Sequence, residues 1–348
     1  MIKVADYIAD YLAYIGVKYI HILMGGGAAT LNDSLCKHPN LEYICYHSES
    51  IASYAAFGEA KYTNKLAVLN TTSGIGTVNA LSGILSSYCD SVPLLVISGN
   101  TALKNTCRYI RLNQGVKLRQ MGVQDNDIIE MSAPITKYSV TVKRPEDIAY
   151  ELEKCIYECC HNRPGPCLIE IPSDVANSLI EPRKLEHFVI NETTCQNFGN
   201  DTFLEERIGK IKQDLQTYQR PLILAGGGIR QSNTVEPFRE FIEKYQIPFI
   251  HTFLGVDLAA YDNPLCLGNL GVKGKRNANF SLQNCNYLLI LGTALTTSQI
   301  GYLPDKFAFR AKKVAVDIDY NVLEKTGFVE LDEKINCDLK DFFKYVNQ

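Results

Sequence analysis

The sequence predicts an α/β protein built from two doubly wound domains with parallel sheets. Three observations carry this expectation. Strand candidates alternate with helical stretches along most of the chain. The strand candidates are apolar and β-branched, as strands covered on both faces are. A second βα series opens after a stretch holding Pro, Asn and Thr without steady periodicity. The expected division is a first domain over residues 1–176, a linker over 177–201 and a second domain over 202–348.

The elements follow in order. Val4, Ile8, Tyr11, Leu12 and Ile15 share one helical face, and Gly16 ends that helix. "KYIHILM" reads as a short buried strand, followed by "GGG" and the helical stretch "AATLNDSLC". "LEYICYH" is the next strand and "SIASYAAFGEAKY" the next helix, with Glu49 in its first turn. An acid there answers the helix dipole; a bound cofactor is the other reason to have one. "KLAVLNT" is a strand, "GTVNALSGILSSYC" a helix and "VPLLVISG" a strand. Residues 100–133 are more polar and read as a loop with short helices. "ITKYSVTV", "PEDIAYELEKCIYECC" and "CLIEIP" add a strand, a helix and a strand, with "NRPGP" a turn between. In the second series, "PLILAGGGI", "IPFIHTF", "NYLLILG" and "KKVAVDID" are strand candidates, and a helix over 236–245 separates the first two. "AGGGI" suits a nucleotide-binding turn and equally a tight turn in an open α/β sheet.

Composition narrows the function. A chain of 348 residues accommodates two ordinary domains, and its 46% hydrophobic content fills large cores. The net charge of −3 gives no electrostatic case for nucleic acid or an anionic membrane, so neither is an expected partner. The 12 cysteines form no C-x-x-C pair. Cys155, Cys159 and Cys160 cluster in a helical run, but His161 alone completes a poor ligand set. Buried reduced thiols are expected there rather than a metal. Scattered cysteines without a signal-peptide pattern, and no apolar run of membrane-spanning length, predict a cytoplasmic protein.

Four stretches of the first half, in their order, resemble the thiamine-diphosphate (ThDP) enzymes of the acetohydroxyacid (acetolactate) synthase and pyruvate oxidase group. They are "GVKYIHILMGGGAATLNDSL", "HSESIASYAAFGEAK", "TTSGIGTVNALSGILSSYCDSVPLLVISGN" and "NRPGPCLIEIPSDV". In the second half "RPLILAGGGI", "IPFIHTFLG", "NPLCLGNLGVKGKRNAN", "NYLLILGTAL" and "VAVDID" resemble the same group's central domain. The resemblance implies a ThDP pyrimidine-binding domain followed by a Rossmann-like central domain. The glycine-first opening with "LNDSL" is also similar to members found in surface-polysaccharide gene clusters.

The resemblance also implies site residues. The family's acid, nine residues before a helical glycine, matches Glu49 with Gly58. That acid hydrogen-bonds the aminopyrimidine ring of ThDP and favours the imino tautomer, whose nitrogen deprotonates the thiazolium carbon. Thr72, Ser73 and Gly74 are expected to bring backbone close to the pyrimidine. Gly25 and Gly26, with Gly27, are expected to line the cleft. Asn79 matches the family's Asn in the following helix and equally suits a helix-start polar residue. Gln124 is similar to the family's Q-E near the site and equally suits an ordinary loop amide.

Departures from the family shape the remaining expectations. The sequence has no G-D-G followed by a distant Asn, the stretch that holds Mg²⁺ and the diphosphate in the third, pyrophosphate-binding domain. The chain is therefore expected to lack that domain, as a fragment or as one subunit of a split enzyme, and to hold no metal itself. Thr293 stands where the family's flavin-binding members carry an Arg, so FAD is not expected. The predicted function is the N-terminal part of an acetolactate synthase-like 2-oxo acid decarboxylase and carboligase. A ThDP-dependent lyase or hydrolase is the alternative, as is a non-catalytic assembly or regulatory subunit. The implied partners are a 2-oxo acid, and copies of the chain in a dimer or tetramer or a separate pyrophosphate-domain subunit.

Overall fold

The computed structural model describes residues 1–190, 201–260, 262–325 and 328–348. The chain divides into two compact units, Met1–Asn191 and Glu192–Gln348. No helix among the described residues is long and apolar enough to cross a membrane.

In the first unit the strands are β1 (Ile2–Lys3), β2 (Tyr19–Ile22), β3 (Glu42–Cys45), β4 (Ala67–Thr71), β5 (Leu94–Asn100), β6 (Tyr138–Thr141), β7 (Pro166–Pro172) and β8 (Leu179–Ile180). The helices are α1 (Val4–Tyr14), α2 (Ala29–Lys37), α3 (Glu49–Thr63), α4 (Ile75–Asp90), α5 (Cys107–Gln114), α6 (Ile128–Ser132), α7 (Ile148–Cys160) and α8 (Ser173–Asn177). Six strands form one parallel sheet in the order β3-β2-β4-β5-β7-β6. Parallel neighbours need crossover connections, which the helices supply. Every residue of β4, β5 and β7 is buried, apolar residues for the most part with Asn70, Thr71, Ser98, Asn100 and Glu170 among them. Strand β3 differs: "EYIC" is exposed throughout, because it is an edge with one neighbour. At the start of the expected linker, β8 pairs antiparallel with β1, Ile2 opposite Ile180. Residues 191–200 of that linker lie outside the described residues.

The expected cysteine cluster is divided by the helix. Cys155 and Cys159 are fully buried on the inner face of α7, where burial raises both thiol pKa values. Cys160 is exposed, contrary to its expected burial, because the last residue of the helix turns off that face. The His161 ring stacks on Tyr157 with centroids 3.8 Å apart.

The second unit contains β9 (Pro221–Ala225), β10 (Phe249–His251), β11 (Cys266–Asn269), β12 (Tyr287–Leu291), β13 (Lys312–Asp317) and β14 (Glu333–Asn336). Its helices are α9 (Asp201–Thr217), α10 (Gly228–Gln231), α11 (Val235–Tyr245), α12 (Arg276–Asn284), α13 (Thr297–Ile300), α14 (Tyr320–Glu324) and α15 (Leu339–Val346). The strands form a parallel sheet in the order β11-β10-β9-β12-β13-β14. The four strands expected from apolar runs are its centre. The two edges, "CLGN" and "EKIN", escape a sequence reading because edge strands carry few β-branched residues and need no apolar run. Phe238, Phe241, Phe249, Phe342 and Phe343 pack edge to face on one side of this sheet.

Candidate functional site

Strands β2 and β4 are neighbours, and the chain leaves them in opposite directions, to β3 on one side and β5 on the other. Ligand crevices in open α/β sheets form at such a point, beyond the carboxyl ends of the strands. The loops leaving these two strands carry most of the predicted site residues.

The loop after β4, Thr72-Ser73-Gly74, enters α4 through a backbone that only glycine adopts without strain. Gly74 has φ 59° and ψ −115°. A Cβ there would fall 1.3 Å from the Gln124 carbonyl oxygen, so Gln124 rests directly on this loop. The Thr77 hydroxyl ties the first turn of α4 to the sheet. It donates to the Thr72 carbonyl at 2.8 Å and pairs with the hydroxyls of Thr71 at 2.9 Å and Ser98 at 2.7 Å. The loop after β2 lies against the same segment. A Cβ on Gly25 would meet Thr72 at 2.5 Å, one on Gly27 would meet Ser73 at 2.5 Å, and Gly27 N–H donates to the Thr72 hydroxyl at 3.2 Å. Gly26 does not join this packing: it is exposed, with no atom within 4 Å of a Cβ built on it.

Glu49 is the first residue of α3, after an extended Ser48 whose side chain caps nothing. Asn79, one turn into α4, donates to Glu49 Oε2 at 2.8 Å and to the Ser48 hydroxyl at 3.3 Å. Oε1 takes no hydrogen bond from the described residues. It stands 3.0 Å from where a Cβ on Gly76 would be. The half-buried carboxylate thus has one oxygen held and the other beside bare backbone. Helices α3 and α4 approach closely enough for this because Gly83 has no side chain: a Cβ there would fall 2.2 Å from the Ser53 hydroxyl.

The structure therefore gathers Glu49, Asn79, Thr72, Ser73, Gly74, Gly25 and the Gln124 backbone around the carboxyl ends of β2 and β4. The Gln124 side chain is exposed, and its φ of 59° marks a sharp turn. Sequence reasoning missed Gly76, whose signal is the second glycine of T-S-G-I-G. It also missed a buried polar set behind Gln124, made of Asn100, Asp125 and Glu170. Burial pushes the Glu170 carboxyl up to about 7, against hydrogen bonds from Thr141 and Asn100 that pull it down. Among the described residues no cluster of three or more His, Cys, Asp or Glu is arranged for a metal.

In the second unit, "AGGGI" lies where the strand order reverses, between β9 and β12. Two of its donors are engaged: Gly226 N–H pairs with the Leu291 carbonyl at 2.8 Å and Gly228 N–H with the Gly292 carbonyl at 3.0 Å. The glycines permit this contact, since a Cβ on Gly226 would fall 2.0 Å from the Gly292 oxygen. The Thr293 hydroxyl donates to the Gln299 side chain at 3.2 Å.

Comparison with known proteins places this geometry. Residues 2–123 match the family model of the thiamine pyrophosphate enzyme N-terminal TPP binding domain, and residues 208–345 match that of the thiamine pyrophosphate enzyme central domain. The acetolactate synthase large subunit of Lactococcus lactis subsp. lactis (strain IL1403) is 32% identical over 329 residues, covering 94% of this chain and 54% of that protein. The acetolactate synthase large subunit of Porphyra purpurea is 31% identical over 313 residues, covering 89% and 50%. The isozyme 3 large subunit of Escherichia coli (strain K12) is 27% identical over 329 residues, covering 94% and 54%. The chain spans about half the length of the curated relatives it matches. With the two models covering both units in order, the chain belongs to the thiamine pyrophosphate enzymes, of which it carries the N-terminal TPP binding domain and the central domain.

Proposed function

We propose that this chain supplies the pyrimidine-binding side of an acetolactate synthase-like enzyme that decarboxylates a 2-oxo acid and joins the remaining carbons to an acceptor. The observation that carries the reading is Glu49, with Oε2 fixed by Asn79 and Oε1 left beside the bare backbone of Gly76. A flat heterocycle with a weakly basic ring nitrogen fits that arrangement, because glycine backbone admits the ring edge and the carboxylate meets the nitrogen. Thiamine diphosphate, when bound, supplies an electron sink for the carbanion left by decarboxylation. Glu49 would share a proton with the ring nitrogen at Oε1. Asn79 would keep the carboxylate from rotating away, and the Gly25 and Gly74 loops would set how closely the ring approaches. Magnesium and the diphosphate would be held by residues outside this set.

A test separates the two halves of the cofactor. Most affinity for a diphosphate comes from its metal and its hydrogen-bond donors. Calorimetric titration of the 348-residue chain should therefore give weak binding of both thiamine and thiamine diphosphate, within about threefold of each other, with Mg²⁺ making no difference. Glu49→Ala should abolish both. Tight, magnesium-dependent preference for the diphosphate would mean that residues of this chain hold it, and the division proposed here would fall.

Flavin is not part of this reading. Thr293 provides no charge-assisted partner for a dinucleotide phosphate, and the Gly226 and Gly228 amides are engaged with the Leu291 and Gly292 carbonyls. Purified protein should be colourless and release no flavin on denaturation; stoichiometric FAD would overturn this. Self-association is part of it. Ile51 and Tyr54 on α3, with Leu85 and Tyr88 on α4, are large apolar residues left exposed, which supports a dimer or tetramer that covers this face.

A further inference from the structure

Glu170 on β7 is a carboxylic acid in the interior, 3% exposed, with no basic group in contact among the described residues. Its Oε2 accepts the Thr141 hydroxyl at 2.7 Å and its Oε1 accepts Asn100 Nδ2 at 2.7 Å. The same Asn100 amide reaches Asp125 Oδ1 at 3.5 Å. Asp125, also 3% exposed, accepts the Cys107 backbone N–H on its other oxygen at 2.6 Å. Asn100 Oδ1 is taken by the Thr101 N–H at 2.7 Å, so the amide cannot turn over without losing a bond at each end. One residue before Asp125 stands the Gln124 carbonyl, seated on Gly74 at the mouth of the α4 loop. A set of contacts, the longest of them the 3.5 Å between Asn100 and Asp125, therefore runs from β7, next to the sheet edge, to the loop opposite Glu49.

We propose that Glu170 is a positioning residue for the Gly74 loop, acting through Asn100 and Asp125 on the Gln124 carbonyl. The proposal rests on the reading of the pocket as a pyrimidine site only for the identity of what is positioned. Protonated, Glu170 presents a neutral group to Asn100 and to Asp125 beyond it. Ionised, it adds a negative charge on the Asn100 amide that Asp125 also faces, and the two carboxylates repel. That repulsion loosens the turn that carries Gln124.

The surrounding charges leave this repulsion uncompensated. Besides Asp125, the charged group facing Glu170 is Asp127, which Arg108 and Arg111 already hold. The Glu130 carboxylate of α6 pairs with Arg111 as well. The Cys107 thiol lies against Asp125, and burial raises its pKa. On α4 the ionisable side chains Tyr88, Cys89 and Asp90 are at the far end, with Asp90 on Lys61. On β6, Tyr138 is turned to the opposite face, onto Glu151 of α7, as Cys155 and Cys159 of α7 are turned to Cys167. Glu170 gains its proton near pH 7 in the fold and near 4.5 when unfolded. Its contribution to stability is therefore fully present below about pH 4.5 and lost as pH rises through about 7.

Hydrogen exchange on the full chain, without cofactor, tests this. After correction for intrinsic rates, amides of residues 72–79 and 122–127 should exchange at least about threefold faster at pH 8.5 than at pH 6, while β7 is unchanged. Glu170→Gln, which keeps the shape and cannot ionise, should remove that pH dependence and melt several degrees higher than the natural protein at pH 8.5. If Glu170→Gln does not fold, Thr141→Val serves instead: losing one hydrogen bond to the carboxylate should move the midpoint of the exchange profile to higher pH. The proposal is overturned if the variants keep the natural pH profile over 72–79, or if only β6 and β7 respond. Failure of thiamine to bind would leave these exchange results standing and would remove only the pyrimidine reading.

Discussion

Glu49→Gln keeps the fold and slows deuterium exchange at the thiazolium carbon of bound thiamine diphosphate by roughly 10²-fold or more. The measurement needs the chain joined to a segment that holds the diphosphate, with exchange followed by proton NMR. The substitution preserves the Asn79 contact at one end of the side chain, because an amide oxygen accepts as a carboxylate does. It replaces the other oxygen, the one beside Gly76, by an amide nitrogen that cannot share an exchangeable acid proton with a ring nitrogen. An acid that served the helix dipole alone would lose a few tenths of a kcal/mol to about 1 kcal/mol of stability in the same variant, with exchange untouched. An unchanged exchange rate would therefore return Glu49 to that role.

Gly74→Ala is expected to cost roughly 3–5 kcal/mol of stability, enough to leave much of the first unit unfolded on warming. Two penalties act together. The backbone at φ 59° and ψ −115° is closed to L side chains, and the methyl would have to share space with the Gln124 carbonyl. The loop gives way only by moving Gln124, and moving Gln124 strains Asp125 and Asn100 behind it. Gly26→Ala is the control, expected within about 0.5 kcal/mol of the natural protein, since nothing lies near its Cβ. Thermal or urea unfolding of both variants decides the matter. Comparable small losses in the two would mean that the Gly74 turn relaxes freely.

The pair of glycines also shows how a motif differs from a site. "GGG" and "TTSGIG" are both visible as loops after apolar strands, because continuous apolar runs followed by glycine mark buried strands ending in turns. Which glycines carry a contact is not visible. Gly25 and Gly27 touch the next loop while Gly26 between them touches nothing, a result of how two loops 45 residues apart lie side by side. Asn79 was equally a helix-start polar residue and a site residue by sequence. Its reach to Glu49 follows from the close approach of two helices at Ser53 and Gly83.

The sequence by itself determined the alternation of strands and helices, the parallel arrangement and the family, because these depend on hydrophobic runs, turn residues and motif order that are local in the chain. Edge strands escaped it in the second unit alone: β3 and β6 were legible, β3 turning out exposed, while β11 and β14 were not. Burial is decided by what lies on either side, and an edge has a neighbour on one side only. The Glu170–Asn100–Asp125 set escaped it for a related reason. A single Glu in "CLIEIP" looks like a polar break in an apolar strand until Asn100 and Thr141 arrive from the two neighbouring strands to bond it. Only the tertiary structure places these groups in one low-dielectric space, where a carboxylate without a cation must be satisfied by hydrogen bonds or keep its proton.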